Sequence, residues 1–380
     1  MSKNIWIISS EYTGHGHKSI AQSVREQFQQ LAPDMKLTVK NGFAYGGRRG
    51  NIWEKAYSPV TKYVRPVWNA CFQITSKYCE LTNKYVTNRI KSAFLKELKR
   101  EKPDLIVSVH GLFVGSVLNV VRKAGLDIPV AVIIADLVTL SRMWADRRAD
   151  LTLSPTEEAS TLLQEWGVQK DKILVTGFPV RERFYRAESG ADAEAAATKN
   201  PSILLINGCE KPETLMQITD SILGKTNADM TIITGRDERL RCRLEKEYAR
   251  EPGIRILGYC QNIEEYMCSH DILICRGSPN ILMEAVNCHI PVIMFGALPG
   301  QEKDNPVFME KNKLGIRAEK PEEISRKVNE LLKDGGKLLS AIRIQQQNFS
   351  RNNAARIITL ALIDLLEKTG SEGPSEVFTA

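Results

Sequence analysis

The chain has no apolar run of the roughly 18–20 residues that a membrane-crossing helix needs. Its longest, residues 129–138, contains Asp136 and reads as a buried strand. The apolar stretch at 5–8 is too brief for a signal-peptide core, so a cytoplasmic protein is expected. Eight cysteines occur without a CxxC pair or zinc-finger spacing, in a chain too long to need disulfide staples. Cys268, His270, Cys275, Cys288 and His289 crowd one region, but reduced, mostly buried thiols are the expectation there, and no metal. Low-complexity segments are missing as well. With 43% hydrophobic and 26% charged residues, disorder and fibrous repeats are excluded.

What is present is an alternation of short apolar runs and amphipathic segments over 380 residues, a length natural for two domains. A strand at 4–10 leads through Thr13-Gly14-His15-Gly16-His17 into a helix with apolar positions Ile20, Val24, Phe28 and Leu31. Runs at 105–109, 130–135 and 173–176 continue the pattern. Small polar residues at 185–200 read as a linker. Strands at 203–206, 231–234, 254–257, 272–274 and 291–295 then restart it. The expected fold is α/β, with two doubly wound Rossmann-like sheets facing a central cleft. Its divisions are 1–184, a linker at 185–200, 201–350, and a C-terminal helix with a flexible tail at 351–380.

Ser278-Pro279 follows the strand 272–274 and signals a helix start, with Ser able to cap and Pro suited to the first turn. Amides at that helix start, with Asn280 and Ile281, suit a diphosphate; Arg276 adds positive charge and Glu284 a carboxylate for ribose hydroxyls. The competing reading is an ordinary capped helix with a surface Glu. Gln301 and Glu302, after Pro299-Gly300, suit sugar hydroxyls or else form a solvated turn. His17 can take a proton if its pKa lies near neutral, with Asp136 at a strand end as assistant or rival.

In this order these segments resemble the lipid-directed branch of glycosyltransferase family 28, the monogalactosyldiacylglycerol synthases and processive diacylglycerol glucosyltransferases. The matching segments are Thr13-Gly14-His15-Gly16-His17, Asp136-Leu137-Val138-Thr139 with Trp144, Thr176-Gly177-Phe178-Pro179-Val180-Arg181, Arg276-Gly277-Ser278-Pro279-Asn280 through Glu284, and Pro299-Gly300-Gln301-Glu302. The resemblance implies a GT-B fold and inverting, metal-independent transfer of a hexose from a UDP-sugar, which is a substrate; no cofactor is implied. It places His17 and Asp136 in catalysis. Donor contacts would come from Gly16, Thr234, Gly235, Tyr259, Arg276, Ser278, Pro279, Asn280, Ile281, Glu284, Gln301 and Glu302.

Charge points to the other substrate. The net +7 is concentrated at 40–100, where thirteen Lys and Arg face only Glu54, Glu80 and Glu97. That stretch also holds ten of the chain's 26 aromatics. Arg48, Arg49, Trp53, Tyr57 and Trp68 are the expected acceptor and membrane residues, on an amphipathic segment that Pro59 and Pro66 bend. Basic groups beside aromatics suit an anionic membrane surface, here the inner face of the cell membrane; packed aromatics under a solvated face are the alternative. No nucleic-acid recognition motif accompanies them, so no nucleic-acid partner is expected. A lipid acceptor such as diacylglycerol is the first reading. A soluble acceptor, a catalytically silent nucleotide-sugar sensor and, more distantly, an epimerase are the others.

Overall fold

A computed structural model describes residues 3–13, 16–185, 200–208, 211–350 and 353–371. Gly14, His15, nearly all of the expected linker and the tail beyond 371 lie outside the described residues. The chain divides into two compact units: Met1–Arg181 with Pro299–Gln301 and Asn352–Ala380, and Glu182–Leu298 with Glu302–Arg351.

The first unit runs β1 (Asn4–Ser9), α1 (Gly16–Leu31), β2 (Lys36–Asn41), α2 (Gly47–Tyr63), α3 (Arg65–Lys77), α4 (Cys79–Glu101), β3 (Leu105–Ser108), α5 (Gly111–Lys123), β4 (Val130–Ile133), β5 (Leu151–Ser154), α6 (Glu157–Glu165) and β6 (Ile173–Val175). Its sheet is parallel throughout, in the order β2-β1-β3-β4-β5-β6. Ile5–Ile8 of β1 and Val130–Ile133 of β4 are essentially inaccessible. Strands covered on both faces become continuous apolar runs, which is why they were readable. The winding direction reverses between β1 and β3, and the carboxyl ends of that pair form the usual ligand crevice of such sheets.

The long basic segment is three helices. The chain breaks at Val64 (φ −132°, ψ 53°), and Pro66 sits in the first turn of α3, where its missing N–H costs nothing. Pro59, expected to bend the segment, lies inside α2 without ending it.

The second unit runs β7 (Ser202–Ile206), α7 (Pro212–Leu223), β8 (Asp229–Ile233), α8 (Glu238–Glu247), β9 (Ile254–Leu257), α9 (Ile263–Ser269), β10 (Ile272–Cys275), α10 (Pro279–Asn287), β11 (Val292–Phe295), α11 (Asn305–Lys311), β12 (Gly315–Ala318) and α12 (Pro321–Phe349). α12 is interrupted by non-helical backbone at Lys333–Gly336. The sheet order is β12-β11-β10-β7-β8-β9, again parallel, with its reversal between β7 and β10. There the chain approaches itself so closely that a Cβ on Gly208 would meet the Arg276 Cβ at 2.5 Å, so only glycine fits. The final helix, α13 (Ala354–Ser371), belongs with the first unit and packs on α1. No described helix is long and apolar enough to cross a membrane.

Candidate active site

The crevice between β1 and β3 carries the first cluster. His17 stands in the first turn of α1, and its Nδ1 lies 2.7 Å from the carbonyl of Val109, the residue after β3. A carbonyl only accepts, so Nδ1 holds the proton and Nε2 keeps its lone pair. The pKa of His17 is not near neutral, as its role as a base had required. Burial lowers it to about 4, against which the Val109 bond works only partly. The ring is therefore neutral at pH 7, which leaves Nε2 unprotonated but weakly basic.

The loop between β1 and α1 is held from α2. Glu54, 1% exposed, accepts the N–H of Glu11 at 2.5 Å and of Tyr12 at 3.0 Å, while its other oxygen takes the Asn41 amide at 3.0 Å. The Ser10 and Thr13 hydroxyls bond to each other farther along the same loop. Sequence reading counted Glu54 only as one of three acids in a basic stretch. Glu54→Ala strands two backbone amides and is expected to destabilise the protein by about 3 kcal/mol. Urea unfolding measures this, and a shift under about 0.5 kcal/mol would contradict the arrangement.

Asp136 follows β4, is 3% exposed, and is gripped on both oxygens: Trp144 Nε1 donates at 2.6 Å and Gln301 Nε2 at 2.8 Å. His110, between β3 and α5, stacks on His17 with ring centroids 4.3 Å apart. It escaped the sequence reading; the available signal was a His-Gly pair directly after a buried strand. Phe43 and Phe113 close its other sides.

These groups line a cavity of about 930 Å³ within the first unit, together with Arg49, Trp53, Tyr57, Trp68 and Phe72 from α2 and α3 and apolar residues of α4. Tyr57 and Trp68 pack edge to face at 4.9 Å and join α2 to α3. The aromatics divide between the two expectations: Phe72 is buried, whereas Trp53 is 65% and Tyr63 74% exposed. Arg48 is exposed next to Arg49 but does not line the cavity.

The second cluster lies at the carboxyl edge of the other sheet. Ser278 occupies the N-cap of α10, yet its side chain makes no capping bond, contrary to expectation. The first-turn amides thus receive no acceptor from the Ser278 hydroxyl. Glu284 is no surface residue; only 9% of it is exposed. Thr234 and Gly235 follow β8 and Tyr259 follows β9, with the Thr234 hydroxyl bonded to Leu257 O and Arg236 stacked on Tyr259 at 4.6 Å. Arg276 is not a free cation. Its Nε lies 2.9 Å and its Nη2 3.1 Å from the Glu302 carboxylate, which also accepts Leu298 N–H, and its Nη1 donates to Gly208 O. Gln301 and Glu302, adjacent at the turn after Gly300 (φ +85°), are therefore bound to different partners.

Among the described residues no group of three or more His, Cys, Asp or Glu side chains could hold a metal ion. Cys275 and Cys288 are buried and Cys268 partly so, as expected for that region, and burial pushes the Cys275 thiol up, whereas Cys71 and Cys242, outside it, are exposed.

Residues 17–180 match the family described as monogalactosyldiacylglycerol (MGDG) synthase, and residues 210–334 match glycosyl transferases group 1. Monogalactosyldiacylglycerol synthase 3 of Arabidopsis thaliana is 27% identical over 344 residues, 85% of this chain and 73% of the relative. The processive diacylglycerol β-glucosyltransferase of Staphylococcus saprophyticus is 27% identical over 351 residues, 89% of this chain and 87% of the relative. The chain is a glycosyltransferase, similar to the diacylglycerol-directed enzymes. The MurG structure from Acinetobacter baumannii superposes with a TM-score of 0.62 at 15% identity, covering 96% of this chain and 99% of that one. The transferase therefore has the GT-B fold, with one doubly wound sheet in each unit.

Proposed function

We propose that the protein transfers a hexose from a UDP-sugar to a hydroxyl of a lipid such as diacylglycerol, with inversion and without a metal, while docked on an anionic membrane. The observation that supports this most is the first-unit cavity, whose walls are largely aromatic and aliphatic and which holds His17, His110, Asp136 and Gln301 among its polar residues. An acyl-glycerol has the matching division into long apolar tails and one reactive hydroxyl.

In this reading His17 Nε2 takes the acceptor proton as the oxygen attacks the anomeric carbon, and the bond to the diphosphate breaks with its electron pair leaving on UDP. Both Asp136 oxygens already carry donors, so the unoccupied His17 nitrogen is the better placed base. The α10 amides, Asn280 and Ile281 among them, receive the diphosphate, where aligned dipoles stabilise the charge that develops. Glu284 takes the ribose, and Gln301 and Glu302 the sugar. Gln301 Oε1 is buried without a partner, which leaves it an acceptor to offer.

Docking is assigned to α2, α3 and α4, where Ile52, Trp53, Tyr63, Ile74, Leu81 and Tyr85 are each at least half exposed beside Arg48, Arg49 and Lys55. Flotation with anionic liposomes at low salt tests this directly. Binding is expected, with a loss of about tenfold or more in Trp53→Ser/Trp68→Ser; no binding by the parent protein would end the docking reading. UDP release across donors with lipid and soluble acceptors tests the transfer itself. Release without need of a lipid interface would favour a soluble acceptor, and binding without turnover a silent sensor.

A further inference from the structure

We propose that His110 donates a hydrogen bond to the acceptor hydroxyl and so turns that hydroxyl's proton toward His17. This rests on His17 as the base, and it adds a second residue that touches the substrate.

The two imidazoles both line the cavity, with ring centroids 4.3 Å apart and planes 33° apart. The backbone fixes their tautomers in opposite senses. His17 Nδ1 faces the Val109 carbonyl and must carry the proton, leaving Nε2 a lone pair. His110 Nδ1 instead accepts the Leu112 N–H at 3.3 Å as the cap of α5, so in the neutral ring the proton is on Nε2. Burial keeps both rings neutral, and the neighbouring His17 further disfavours charge on His110. Among the described residues neither Nε2 has a hydrogen-bond partner.

One bare lone pair beside one N–H is the complement of a hydroxyl, which gives one proton and takes one. Held by both rings, the hydroxyl oxygen keeps a second lone pair for the anomeric carbon. The proton passes to His17, the new C–O bond forms, the old one leaves with UDP, and His110 keeps its own proton throughout. Its contribution is orientation, which the surroundings enforce: the Phe43 and Phe113 rings lie 5.5 and 5.3 Å away, and Gly111 lets Trp144 pack so closely that a Cβ would meet the indole at 3.2 Å.

Two substitutions separate this role from the cap. His110→Asn places an oxygen where Nδ1 caps Leu112 but has no group at the Nε2 position; His110→Gln extends an N–H toward that position. The measurements are kcat, KM for acceptor and donor, and melting temperature, with His17→Ala alongside. We expect His110→Asn to melt like the parent, keep its donor KM, and lose about ten- to a hundredfold in kcat, with part of the loss regained in His110→Gln. Full activity in His110→Asn while His17→Ala is inactive overturns this inference alone. Loss of activity that follows the melting temperature and is not regained in His110→Gln also overturns it, since the cap would then be the whole role. Full activity in His17→Ala overturns the base assignment and this inference with it.

Discussion

Replacing His17 with Ala is expected to lower kcat by about 10²–10⁴-fold, the contribution of a general base, while leaving UDP affinity within a few-fold, since the proposed nucleotide contacts lie on the other sheet. The pH dependence is the sharper test, because the folded-state pKa is lowered to about 4. A base works when deprotonated. The rate should therefore be flat through neutrality and fall only as pH drops below about 5, well under the ordinary histidine range. A half-maximal rate near pH 6.5 would show that His17 does not occupy its buried setting during turnover. Stability follows the same sign: the unfolded chain binds this proton at higher pH than the native one, so His17 weakens the fold as pH falls from about 6.5 toward 4.

Arg276→Ala is expected to have the largest effect on the second unit. Glu302, with 6% of its side chain exposed, would be left charged and without its cation, at a cost of about 3–5 kcal/mol. The melting temperature should fall by several degrees and UDP binding should weaken together with it. The double variant Arg276→Ala/Glu302→Gln should recover part of the stability, because the stranded charge is gone. If the double variant is no more stable than Arg276→Ala alone, Glu302 is not the group that suffers. Arg276 thus acts first as a tie between the ends of β7 and β10 and the Glu302 turn, which in the proposed reaction leaves the charge at the diphosphate to the α10 amides.

How much of this was legible depended on which signal each element needs. Central strands such as β1, β3, β4, β7 and β10 were readable because burial on both faces demands an uninterrupted apolar run. β2 and β12 passed unseen because they are half-covered edge strands, Lys-Leu-Thr-Val-Lys-Asn and Gly-Ile-Arg-Ala, whose polar residues hide the pattern. β5, Leu-Thr-Leu-Ser, alternates apolar with polar residues and so lacks an uninterrupted run. At the site, His17, Asp136 and the start of α10 announced themselves by lying at strand ends. Partners did not. That Glu54 would reach the loop before His17, 42 residues away, that Arg276 would spend its charge on Glu302, or that His110 would stack on His17 follows only from three-dimensional proximity.

The last helix has a consequence for how the molecule comes into being. α13 buries Ile358, Leu362 and Leu366 and lies with the unit that the chain began, next to α1 and at Gly177, whose missing Cβ would meet Ala354 at 3.2 Å. Synthesis runs from one end, so this part of α1 has no covering helix until the entire second unit has been made. The first unit is the earliest to begin folding and the last to be completed. A shortened chain that ends with α12 would keep every residue of the second cluster and leave an apolar seam open beside the helix that carries His17.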